Sequence, residues 1–238
     1  MTMARHLIAS CLLSLGACAG VAANVYAADW VSYRDAYRAM VVFEKYGGPK
    51  THIQNHLQVV PIVPLEKGAA LDGLQLTLAG KANQLRLALD PLGRTVFPLL
   101  KAAYDDNATL LLEGRIGAFT VRPRVSLTLK ADGIYDDAEL RAACEQALGF
   151  ARYADASLRA RQCGGVRFVF ARRAGETAVR LHRADGTEQA LPLASGAAFA
   201  GEIGEGFPTV VYRFAGAATG RTQVISANLP LAILPLFD

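Results

Sequence analysis

Among 238 residues there are four cysteines, four histidines and a single tryptophan, and no two cysteines are spaced as CxxC. Without that spacing the sequence lacks the thiol pair of a thioredoxin-type redox site and the half-site of a zinc knuckle. No GxSxG occurs, and Ser195 lies in LASGA without the strand-turn-helix context of a nucleophile elbow, so acyl transfer by an activated serine is unsupported. His52 and His56 are four apart in THIQNH, but Gln54 and Asn55 stand where an HExxH zinc site needs its glutamate. The residues around them alternate instead, and on a strand two side chains four apart are about 13 Å distant. No metal or cofactor site is expected.

Charge of one sign is also scarce. Lysine and arginine number 25 against 21 acids, a net of +4, which does not call for nucleic acid. With 52% hydrophobic and 19% charged residues, the chain has enough apolar surface to offset the entropy of ordering it, which argues against disorder.

What is present begins with a leader. Arg5 precedes the apolar run LIASCLLSLGACAGVAA, and small residues follow. This is the pattern of a secretory signal over residues 1–27, too diluted by small residues to read as a membrane span. Val25-Tyr26-Ala27 suits signal peptidase and would leave a soluble periplasmic chain. Leu15-Gly16-Ala17-Cys18 resembles a lipobox, in which Cys18 would be acylated and hold an outer-membrane lipoprotein facing the periplasm. Export leaves Cys144 and Cys163 as an even pair in an oxidising compartment, which predicts one disulfide.

Two stretches have helical spacing: Tyr33 to Phe43, opened by Ser32 and stopped by Gly47-Gly48-Pro49, and the run after Asp136-Asp137 through Ala151. Elsewhere the period is two, as in GLQLTLAG, QLRLALD, RTVFPLL, ATLLLEG, AFTVRPRVSLTLK, GVRFVFA, TAVRLHR, TEQALPL, PTVVYRF and TQVISAN. Asp90-Pro91-Leu92-Gly93, Gly164-Gly165 and Asp185-Gly186 read as turns between them. The prolines in ANLPLAILPLFD argue against a central strand there.

The chain also repeats its own pattern: LRLALDPLGRTVFPL from Leu85 matches VRLHRADGTEQALPL from Val179, GLQLTLA from Gly73 matches GVRFVFA from Gly165, and YRDAYRAM from Tyr33 matches YDDAELRA from Tyr135. The expected fold class is therefore α+β, with two similar halves from an ancient duplication, each a helix packed on an antiparallel β-sheet. The halves would span residues 28–131 and 132–238.

The strongest local bias lies between Arg152 and Arg183, where eight arginines face only Asp155 and Glu176. Arginine forks suit carboxylates and phosphates. Arg159, Arg161, Arg167, Arg180, His182 and Arg183 are the candidate ligand-binding residues, for an anionic envelope component or a protein partner. The function expected is a non-catalytic binding, structural or accessory role in a bacterial cell envelope, touching membrane only through an N-terminal lipid. The alternative is a periplasmic hydrolase using the carboxylates of Glu202 and Glu205, or His182, in a cleft between the halves.

Overall fold

The computed structural model describes residues 30–62, 71, 73–81, 84–114, 117–172, 178–199, 201–202, 206–216 and 221–238. Residues 1–27, expected to be a leader and containing Cys18, and Glu205 lie outside them. In chain order the first elements are β1 (Trp30–Ser32), α1 (Tyr33–Lys45), β2 (Ile53–Pro61), β3 (Gln75–Ala79), β4 (Gln84–Ala88), β5 (Arg94–Thr95), α2 (Lys101–Asp105), β6 (Thr109–Leu112) and β7 (Phe119–Leu127). There follow β8 (Ile134–Asp136), α3 (Asp137–Ala154), a 3-10 turn (Ala156–Ala160), β9 (Cys163–Val169), β10 (Val179–His182), β11 (Glu188–Ala190), β12 (Leu193–Gly196), β13 (Phe207–Arg213), β14 (Gln223–Ser226) and β15 (Ala232–Phe237).

The fold is mixed α+β with few helices and three antiparallel sheets. Two have four strands, ordered β1-β6-β3-β4 and β11-β10-β14-β8; the third has seven, ordered β12-β13-β9-β15-β7-β2-β5. The sheets are not divided one per half, because β15 pairs with both β7 and β9 inside the large sheet.

Helix α1 starts where Ser32 accepts from the Asp35 N–H, and it buries Tyr33, Ala36, Met40 and Phe43. At α3 the Asp136 N–H donates to Glu139, and the buried face carries Leu140, Ala143, Cys144, Ala147 and Leu148. Each helix fills the space between the large sheet and one small sheet. Met40 joins Leu57 and Val59 of β2 to Leu76 and Leu110, while Leu140 joins Phe168 and Ile233 to Leu181 and Val224. The helices meet through Phe43 and Phe150, whose rings stack edge to face at 5.1 Å. Asp137, buried at the start of α3, accepts from the Tyr212 hydroxyl at 2.8 Å and from Arg141 Nε at 2.8 Å. The Cys144–Cys163 disulfide is formed, tying α3 to the first residue of β9.

Three expectations are corrected. Gly164-Gly165 is not a turn but lies within β9; at Gly165 φ is +156°, and a Cβ would fall 2.3 Å from the Tyr212 carbonyl oxygen, so glycine lets β13 close in. The prolines of the terminal ANLPLAILPLFD do not keep it out of the sheet interior: its β15 is central. Pro235 lacks an N–H, but β15 registers with β7 only at Ile233–Leu127 and runs beside β9 for the rest. The matched stretches from Gly73 and Gly165 are not counterparts either, since β3 belongs to a small sheet and β9 to the large one. Alternating apolar residues are common to every half-buried strand, so that likeness carried no positional information.

Candidate functional site

One face of the large sheet is packed by the helices; the other carries an arginine cluster. Paired residues in an antiparallel ladder share a face. Leu57 and Val59 are fully buried under α1, so Gln54, His56 and Gln58 point the opposite way, together with their partners Ser126, Arg124 and Arg122 on β7. Arg94 of β5 pairs with Gln58, and Arg167 of β9 pairs with Leu234 of β15 on the same side. Four guanidiniums from three strands thus share this face.

Their positions are set locally. The Asp90-Pro91-Leu92-Gly93 turn forms as expected: Asp90 Oδ1 accepts from the N–H groups of Leu92 and Arg94 at 2.9 and 2.8 Å, and Gly93 takes φ +71°. That turn places Asp90 Oδ2 against Arg94 Nε and Nη2 at 2.9 and 2.8 Å. Arg94, 4% exposed, also donates from Nη2 to the Leu231 carbonyl at 2.6 Å, linking β5 to the entry of β15. Gln58 is held by donating Nε2 to the Leu92 carbonyl at 3.2 Å. Its Oε1 then accepts from Arg122 Nε at 3.3 Å and Arg124 Nε at 2.6 Å, fixing both guanidinium planes. Glu202, from the segment before β13, accepts from Nη2 of Arg122 and from Nη2 of Arg124, the latter at 2.6 Å. Phe199 lies beneath the Arg124 guanidinium at 4.3 Å.

Electrostatically the face is short of negative charge. Four arginines have two carboxylates, Asp90 and Glu202, among the described residues. Burial and the neighbouring Arg122 lower the Arg124 pKa, with Glu202 opposing them; the guanidinium stays charged. Burial, reinforced by Arg94 and opposed by Asp90, lowers the His56 pKa below its ordinary 6.5, so its ring is neutral at pH 7. His56 Nδ1 and Arg167 Nε are shielded from water without a hydrogen-bond partner. Beside Arg124 and Arg167 a half-open cavity of about 170 Å³ is completed by Phe199, Leu234, Pro235 and Leu236.

No protein-family model, curated protein or solved structure matches this chain. The chemistry of the arginine face therefore has to be read from its own residues.

The residues singled out in the sequence fall in three places. Arg167 alone is on the arginine face. Arg159 and Arg161 lie in and just after the 3-10 turn, where both are exposed. Arg180 and His182 share the outer face of the small sheet on β10, and both meet Glu188, at 3.3 and 3.5 Å. Arg183 donates to Gln189 at 2.6 Å. Nearness in sequence grouped them, but β9 and β10 enter different sheets. Glu202 and His182 are likewise on separate elements, with Glu202 held between two arginines. No group of three or more His, Cys, Asp or Glu side chains suited to a metal occurs among the described residues. Arg122 and Arg124 were missed, although two cations two apart in AFTVRPRVSLTLK must share a face once that stretch is read as a strand.

Proposed function

We propose that this chain is an exported cell-envelope protein that binds an anionic component through the arginine-bearing face of its large sheet and catalyses no reaction on it. The observation that carries the reading is the unbalanced cluster of Arg94, Arg122, Arg124 and Arg167, two of whose members Gln58 pre-orients. Pre-ordered guanidinium forks suit carboxylate and phosphate, and half-burial strengthens their attraction for them. Export is supported by the leader pattern and by the Cys144–Cys163 disulfide, since such bonds persist in oxidising compartments. A soluble periplasmic product is preferred to a Cys18 lipoprotein, and the intact mass of the mature protein separates the two.

The reading is tested by thermal unfolding with inorganic phosphate. Binding to the folded state alone raises the midpoint with concentration. The expected result is a rise beyond that given by chloride at equal ionic strength, lost in Arg167→Gln. Equal midpoints in the two salts would remove the reading.

We also infer that residues 28–131 and 132–238 follow one plan, by a different alignment from the one the sequence suggested. In support, β1-β6-β3-β4 corresponds strand for strand to β8-β14-β10-β11, with α1 after β1 as α3 is after β8. In the large sheet β5-β2-β7 corresponds to β13-β9-β15, and Pro123 opposite Leu57 corresponds to Pro235 opposite Val166. On that match Arg122 and Arg124 stand where the second half has Leu234 and Leu236. Superposing the halves on Pro123 and Pro235 tests it; helices that then fail to overlie would sink it.

A further inference from the structure

We infer that the ligand of the arginine face is a dissolved amphiphile with one anionic head and a short aliphatic chain, seated in the cavity between Arg124 and Arg167. The inference rests on the anion-binding reading and adds the ligand's class. The cavity joins two unlike surfaces. On one side are two guanidiniums: Arg124 commits Nε to Gln58 and Nη2 to Glu202, leaving Nη1, and Arg167 has no carboxylate partner among the described residues. Arg167 Nε is moreover cut off from water without a hydrogen bond, so no neighbouring acceptor offsets its positive charge there.

On the other side are Leu234, Pro235, Leu236 and the ring of Phe199, with no polar side chain among them. A small inorganic anion would leave this wall unused. An alkyl chain of modest length would cover it, each buried CH2 tightening binding about fourfold. The volume of about 170 Å³ is well below the roughly 300–1,000 Å³ of drug-sized ligand sites. It suits a head group and a short tail, not a whole two-chain lipid. The different origins of the two walls follow from the chain order: β7 supplies Arg124, whereas β15 supplies the leucines and β9 supplies Arg167.

The test is calorimetric titration of the mature, disulfide-intact protein with acetate, octanoate and octanol, and co-sedimentation with phosphatidylglycerol vesicles. Octanoate is expected to bind at least tenfold more tightly than acetate, and octanol not measurably. Arg167→Gln should weaken octanoate at least tenfold, and Leu236→Ser should reduce its advantage over acetate while leaving acetate unchanged. A folded far-UV spectrum and unchanged unfolding midpoint qualify each variant, and displacement of octanoate by octyl phosphate in the unmutated protein gives the same information without mutation. Equal affinity for acetate and octanoate overturns the aliphatic chain while the anion-binding reading stands. Binding to vesicles but not to dissolved octanoate overturns the dissolved ligand. Failure of every anion overturns both.

Discussion

His56 occupies a position where protonation is opposed from two directions. Its ring is desolvated, and Arg94 lies close enough to disfavour a second positive charge, with Asp90 only partly compensating. A base whose pKa is lower folded than unfolded binds fewer protons in the native state. Stability then falls as pH drops through the unfolded value of about 6.5. Between pH 7 and pH 5 the protein is expected to lose stability more steeply than a His56→Gln variant, by urea unfolding at each pH. Parallel pH profiles would show that His56 does not contribute. Because Arg124 is its cross-strand partner, any anion held at the arginines should lessen this sensitivity by offsetting the same positive field.

Among the elements, α3 and β9 are joined covalently as well as by packing. The disulfide spans 19 residues, and closing a loop of that length contributes about 3 kcal/mol in the chain-entropy model. Cys163→Ala leaves the buried Cys144 in place and should lower the unfolding midpoint by about 6–12 °C for a chain of this size. Calorimetry without reductant checks this, and a change under about 2 °C would mean that the linkage constrains little. Cys144 was legible beforehand because it falls on the apolar stripe of a strongly periodic helix. The stretch RTVFPLL was less so: it gives only the two-residue β5, and Lys101–Asp105 turns out helical. Such short elements owe their form to neighbours, as Arg94 does to Asp90, and carry little period of their own. The arginine face was hidden for a related reason. Its members are 73 residues apart at the extremes, Arg94 to Arg167, and only strand order brings them to one side.

For the molecule as a whole, the shared large sheet makes the two halves interdependent. Phe43 and Ile53 from the first half share a cluster with Ala147 and Phe150 from the second, and Arg94 reaches the Leu231 carbonyl across the same divide. One cooperative unfolding transition is expected, with calorimetric and van't Hoff enthalpies equal. Two separable transitions would show the halves to be autonomous. The position of β15 adds a condition on timing. It follows in the chain all six other strands of the large sheet, yet stands between the blocks β12-β13-β9 and β7-β2-β5. During synthesis both blocks present an unfilled edge, at β9 and at β7, and cannot join until β15 is in place. Long-range pairings of this kind close slowly. The strand that closes the large sheet is thus also the one that locks its two blocks together.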